Sequence, residues 1–104
     1  MQKVMLICNA GMSSSLMAKK VSEYMKNNNQ DIEINATTVA NASEVFQNTE
    51  YEMILVSPQV RMLFNEYSIK AEENGKKIAQ LPFDAYSPTS TGVKKMADII
   101  LETL

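Results

Sequence analysis

The chain has 104 residues, 45% hydrophobic and 21% charged, enough for one globular domain over 1–104 and too few for two. Its formal net charge of -2 speaks against nucleic-acid binding, which calls for a basic patch. One cysteine and no histidine exclude an intramolecular disulfide, histidine-based catalysis and the usual zinc sites, and no metal or other cofactor is expected.

Val4–Ile7 is apolar without alternation, the pattern of a strand covered on both faces. It is shorter than the ~7–15 residues of an export-signal core, and no run approaches the ~20 residues of a membrane helix. Neither export nor membrane insertion is expected, and a lone thiol suits the reduced cytoplasm. A loop of small residues, Cys8-Asn9-Ala10-Gly11-Met12-Ser13-Ser14-Ser15, follows the strand. A helix is predicted from Leu16 to Met25, with Leu16, Met17, Val21, Tyr24 and Met25 on one face and Lys19, Lys20 and Lys26 mostly on the other. Asn27–Gln30 breaks it.

Ile32–Val39 alternates and is rich in β-branched residues, so it reads as an edge strand. Asn41 with Glu44 three residues on forms a capping pattern for a short helix through Phe46. Met53–Val56 is a second fully apolar strand. Ser57 then reads as a helix N-cap with Pro58 at the first helical position. That helix carries Val60, Leu63, Phe64 and Tyr67 on its apolar face, and Gly75 ends it. Lys76–Leu81 is the fourth strand and Pro82–Tyr86 a loop. A last helix starts between Ser87 and Gly92 and buries Val93, Met96, Ala97, Ile100 and Leu104.

The order βαβαβαβα predicts an α/β fold: a single-domain three-layer sandwich, with a four-stranded parallel sheet in the order 2-1-3-4 and helices on both faces. That order reverses beside the first strand, and ligands bind outside the carboxyl ends of strands at such a switch point. Cys8 lies there. No long apolar helix face is left over, so a monomer is expected.

Gly11 permits tight backbone geometry, and a serine among Ser13, Ser14 and Ser15 can cap the helix. Loop amides converging on a helix N-terminus hold anions. A free thiol, with a pKa of ~8.5, is only a few per cent ionised at neutral pH, and such a setting raises that share. Cys8 is therefore a candidate nucleophile, set against the inert buried thiol that a lone cysteine often is. Tyr86 either reaches the site or is a half-buried loop tyrosine. Arg61 and Lys3 read as solvated charges.

Three chemistries suit a thiolate in an anion cradle. The layout resembles that of the low-molecular-weight tyrosine phosphatases, but their loop arginine falls here on Ser14, and the loop has no basic residue. Without that guanidinium hydrolysis is disfavoured, although Asp84 could be put forward as the acid. Redox sensing is weakened by the lack of a resolving cysteine. Phosphoryl relay fits a neutral cradle best. A docking module that merely binds an anion is the competing reading.

The loop Cys8–Ser15 at the end of a first strand, together with Val56-Ser-Pro-Gln-Val-Arg61, resembles the enzyme IIB component of the bacterial phosphoenolpyruvate-dependent sugar phosphotransferase system, in its lactose/cellobiose/chitobiose class. The resemblance covers essentially the whole chain. It implies that Cys8 takes a phosphoryl group from a phosphohistidine on the IIA component and hands it to sugar bound in the membrane IIC component. It also implies that Asn9, Ala10, Gly11, Met12, Ser13, Ser14 and Ser15 form the phosphate-binding loop. A cellobiose-type β-linked disaccharide is the expected sugar. The expected partner-facing residues are Met12, Pro82, Phe83 and Tyr86.

Overall fold

The computed structural model describes residues 1–9 and 14–104. Strand β1 is Gln2–Cys8 and helix α1 is Ser14–Asn27; β2 is Ile32–Thr38 and α2 Ala42–Gln47. Strand β3 is Tyr51–Val56, α3 Phe64–Glu73, β4 Lys77–Gln80 and α4 Ser90–Thr103. Short 3-10 segments occupy Val39–Asn41, Pro58–Leu63 and Phe83–Ala85. The sheet runs β2-β1-β3-β4, with each adjacent pair parallel, as the alternation of elements requires.

The apolar runs explain the layering. In β1, Val4 and Leu6 face a core completed by Met17, Val21 and Met25 of α1 and Met96, Ala97 and Ile100 of α4. Met5 and Ile7 face the other layer, with Val45 and Phe46 of α2 and Tyr67 and Ala71 of α3. β3 divides likewise, with Met53 and Leu55 on the first face and Ile54 and Val56 on the second. β2 is an edge strand, and α1 guards that edge. Ser22 Oγ accepts from Ile34 N at 2.9 Å and donates to Ile34 O at 3.1 Å, closing both groups to an added strand.

Both of the longer helices before β2 and β4 end on a left-handed residue. At α1 this is Asn29, with φ 61, and Gln30 N returns to Met25 O at 2.8 Å. At α3 it is Gly75, with φ 66, and Lys76 N returns to Ala71 O at 2.8 Å. These are Schellman closures, and they explain why the Asn run and Gly75 act as stops.

Five expectations need correction. Leu16 is exposed (46%), because the buried stripe of α1 is centred on Met17, Ala18, Val21 and Met25. Asn41 does not cap α2 through its side chain, since it already lies in a 3-10 turn with φ -106 and ψ 9 rather than in extended backbone. Ser57 does not cap through its side chain either. Its N–H extends the sheet by donating to Ile7 O at 3.0 Å, and the predicted helix is split, with Val60 (φ -119, ψ 26) breaking it before α3 begins. Leu104 is only half-buried at the end of α4. β4 begins at Lys77, because the backbone N–H of Lys76 closes α3 by donating to Ala71 O, while its Nζ donates to Asn48 O and Tyr51 O, both at 2.6 Å.

Nothing lies within 4 Å of the space a Cβ would fill at Gly75, so only the backbone resists a side chain there. Gly75→Ala is expected to lose about 1 kcal/mol of stability, the cost of placing an L-residue in the left-handed region. Urea unfolding reads this, and an unchanged midpoint would show that the α3 closure does not depend on glycine.

Candidate functional site

The sheet delivers the cysteine. β1 lies between β2 and β3, and its last residue, Cys8, pairs with Thr38 of β2. On the other side the last pair is Ile7↔Val56, and Ser57 N donates to Ile7 O, which brings Ser57 beside the end of β1. Cys8 is fully buried, and its Sγ donates to Asn9 O at 3.2 Å. α1 starts at Ser14, also buried, while Ser15 and Asn9 are exposed. The remaining loop residues of the predicted cradle, Ala10, Gly11, Met12 and Ser13, lie outside the described residues.

Tyr86 is brought to this site by the Phe83–Ala85 turn after β4. Its ring packs against the core shared by α1 and α4, and its hydroxyl is buried. That hydroxyl has no strict hydrogen bond among the described residues, yet it lies close enough to Cys8 and Ser14 for both to act on its proton. Burial pushes the phenol well above its ordinary value. The negative charge of an ionised Cys8 and hydrogen bonding to Cys8 push the same way, while Ser14 opposes them. Tyr86 therefore stays protonated at neutral pH and is available as a donor beside the sulfur. Tyr86 is at once a half-buried loop tyrosine and a neighbour of Cys8.

Gly92 helps to place Tyr86. A Cβ on Gly92 would run into the Ser87 carbonyl, so only glycine lets the first turn of α4 lie against the segment that follows Tyr86. Thr89 caps α4, its side chain accepting from Gly92 N at 3.2 Å.

The carboxylate nearest in sequence to this region is not an acid in waiting. Asp84 is paired with Lys95 Nζ at 2.6 Å, and that bond holds its carboxyl below the usual carboxylate range. It is ionised at neutral pH, which removes the proton donor that hydrolysis would need. Among the described residues no group of His, Cys, Asp or Glu could hold a metal ion.

Phe83 is exposed (65%), as is Met62 (73%), and Pro82 also faces solvent. Arg61 is not simply a solvated charge. Its guanidinium lies 5.7 Å from the Phe83 ring centroid and its Nη1 donates to Pro58 O at 3.0 Å. Lys3 pairs with Glu33 at 3.8 Å, at the start of β1, and is not part of the site. Sequence reasoning missed two neighbours of Cys8: Ser57, read as a cap, and Thr38, read only as part of an edge strand. Their signal was the strand register, which the sequence does not print.

The family described as "PTS system, Lactose/Cellobiose specific IIB subunit" matches residues 3–100. The chain belongs to this family. It is thus a phosphotransferase-system component that relays phosphoryl groups in sugar uptake, between IIA and IIC components. It is 29% identical over 86 residues to an oligo-β-mannoside-specific EIIB component of Bacillus subtilis (strain 168), covering 83% of this chain and 82% of that one. It is 30% identical over 95 residues to a cellobiose-specific EIIB component of Lactococcus lactis subsp. lactis (strain IL1403), covering 88% and 83%. A lactose-specific IIB domain from Streptococcus pneumoniae has the same fold, with a TM-score of 0.81 at 22% identity over 98% of this chain and 96% of that one.

Because its folded pKa is raised, the Tyr86 phenol supports the fold below the ordinary phenol value of about 10, and that support is lost as pH rises above it. Tyr86→Phe is expected to flatten the fall in stability above that pH, measured by urea midpoints along a pH series. Equal falls in both proteins would place the phenol in solvent, away from Cys8.

Proposed function

We propose that Cys8 is the phosphoryl carrier of this IIB component. The observation that carries the reading is a buried thiol at the end of the inner strand β1, with the neutral Tyr86 hydroxyl beside it and Asp84, the carboxylate nearest to Tyr86 in sequence, paired with Lys95. Such a setting can hold a phosphoryl group by hydrogen bonds, ~1.5–3 kcal/mol each when charge-assisted, without the fixed guanidinium that a phosphatase uses to stabilise hydrolysis.

In the first step the Cys8 thiol gives its proton to solvent and the sulfur attacks phosphorus. The N–P bond of a phosphohistidine on the IIA component breaks, the ring nitrogen keeps the electron pair, and the imidazole leaves neutral by taking up a proton from solvent. In the second step a hydroxyl oxygen of sugar held by the IIC component attacks phosphorus. The S–P bond breaks, sulfur leaves as thiolate, and the sugar proton is lost to a base at the acceptor site. Transfer in both steps rests on in-line positioning and electrostatics. The residues Asn9 to Ser15 form the phosphate-binding loop in this reading, and the relay works at the cytoplasmic face of the membrane. No described helix is long and apolar enough to cross it.

The sugar proposed is cellobiose or a related β-glucoside. One relative named above is cellobiose-specific; the other two relatives are named for oligo-β-mannoside and, in Lactococcus lactis subsp. cremoris (strain MG1363), for galactose at 30% identity over 88% of this chain and 83% of that one. Three sugar names at nearly equal identity support the view that acceptor choice rests with the IIC component.

Intact mass after incubation with phosphoenolpyruvate and the upstream phosphotransferase proteins is expected to rise by one phosphoryl group. Cys8→Ala and Cys8→Ser are expected to fold and to show no such rise, and to abolish phosphorylation of cellobiose by membranes carrying the IIC component. Sugar phosphorylation that survives in Cys8→Ser would sink the assignment; no mass change in the wild-type chain would favour a ligand-binding module instead.

The docking face proposed for the IIA component comprises Met12, Pro82, Phe83 and Tyr86, with the exposed Phe83 ring and the Arg61 guanidinium above it as the anchor. Phe83→Ala is expected to weaken transfer from IIA at least several-fold while leaving the fold intact, as for an exposed aromatic anchor. Unchanged backbone chemical shifts at Phe83 during titration with IIA would place the contact elsewhere.

A further inference from the structure

Among the described residues two serines are buried as whole residues, Ser14 at 7% and Ser57 at 0% exposure, and both adjoin the Cys8 site; single buried oxygens of Tyr86, Gln59 and Gln80 also lack a hydrogen-bond partner. Ser14 joins it through Tyr86. Ser57 joins it through the sheet. Leu6 pairs with Leu55 and Ile7 with Val56, the last pair of the ladder, which the bond from Ser57 N to Ile7 O closes; Ser57 keeps extended backbone (φ -67, ψ 157), so the register carried one residue further sets it beside Cys8. Paired residues project to the same face, and successive residues alternate. Leu6 and Leu55 both face the layer of α1 and α4, so Cys8 and Ser57, two residues on, face it as well.

The backbone of Ser57 is fully engaged. Its N–H bonds to Ile7 O, and its carbonyl accepts from Val60 N at 3.2 Å and from Gln80 Nε2 at 3.2 Å. Its hydroxyl is idle: Oγ is buried and has no hydrogen-bond partner among the described residues, the sulfur of Cys8 included. The two side chains stand on neighbouring strands about 4.8 Å apart, and no hydrogen bond joins Ser57 Oγ to Cys8 Sγ, which donates to Asn9 O instead. An unpartnered buried hydroxyl lowers stability, so its retention at a site asks for a partner that arrives there. Thr38, on the other flank of Cys8, is only half-buried, so water can reach it and no such requirement arises.

We propose that Ser57 binds the phosphoryl group carried on Cys8. The inference rests on the relay reading of Cys8. A phosphoryl group on the sulfur carries its oxygens into the space between the two side chains, where the Ser57 hydroxyl donates to one of them. No bond in Ser57 is made or broken; the hydroxyl turns from no partner to an anionic one. The bond exists only in the loaded state, so it shifts the phosphoryl equilibrium from the IIA histidine toward Cys8.

The test is the equilibrium distribution of phosphoryl between a IIA component and this chain, read by intact mass, with the phosphocysteine signal followed by phosphorus NMR. Ser57→Ala is expected to shift the equilibrium about tenfold toward IIA, the scale of one charge-assisted hydrogen bond. It is also expected to move the phosphocysteine resonance. The unloaded Ser57→Ala protein is expected to match or exceed the wild-type melting temperature, since it loses an unpartnered hydroxyl. Ser57→Gly repeats the removal if alanine perturbs the strand end. If the wild-type chain loads and both variants load to the same extent with an unmoved resonance, the proposal is overturned and the relay stands. Destabilisation of the unloaded variants without any change in loading overturns it too, because the hydroxyl would then serve the resting fold. A wild-type chain that takes no phosphoryl group at all removes the relay reading, and this inference with it.

Discussion

The structure depends on the double burial of β1. Val4, Leu6, Ile7 and Cys8 are all fully buried, with neighbouring strands on both sides and helices on both faces. Each large side chain so buried contributes ~1.5–3 kcal/mol. The strand cannot slip by one residue without exchanging the two faces, which would carry Cys8 to the α2–α3 side. The same register that satisfies the core therefore fixes the side of the sheet on which the thiol stands.

The neighbours of Cys8 follow from that position. Ser57 is held by the extended ladder of β3, Ser14 by the first turn of α1, and Tyr86 by the turn between β4 and α4. One nearby and two distant segments meet because the carboxyl ends of the inner strands lie at one edge, beside the point where the strand order reverses. What they supply is neutral. Lysine is absent from the group, Arg61 is turned to Phe83, and Asp84 is held by Lys95. A neutral cradle can hold a phosphoryl group by hydrogen bonds while lacking the fixed cation and the acid that would speed its hydrolysis. This is the physical difference between a carrier and a phosphatase built on a similar layout.

Much of this was legible in the chain. Uninterrupted apolar runs at Val4–Ile7 and Met53–Val56 mark strands buried on both faces, and the alternation of Ile32–Val39 marks an edge. Gly75 and the asparagine run are stops because left-handed residues close helices. Misreadings came where one local pattern had two physical uses. Serine before proline suits a helix cap, yet Ser57 spends its N–H on the sheet. Asparagine three residues before glutamate suits a capping box, yet the 3-10 turn at Val39–Asn41 takes Asn41 out of the extended backbone that a cap needs. Leu16 is apolar but falls just off the stripe through Met17, Val21 and Met25.

The sequence by itself determined the order and kind of the elements, the strand order, and the place of Cys8 at the end of the first strand, because periodicity and turn chemistry act over a few residues. Only the tertiary structure decided what surrounds the sulfur. Ser57 lies 49 positions from Cys8 in the chain and Tyr86 lies 78 positions away, and they meet it through strand register and the packing of α4 against the turn after β4. Contacts of that separation leave no local pattern, since they are set by which faces must be buried together. The pairing of Arg61 with Phe83 is of the same kind: two exposed residues whose proximity arises only when the segment after β3 and the turn after β4 come to the same edge of the sheet.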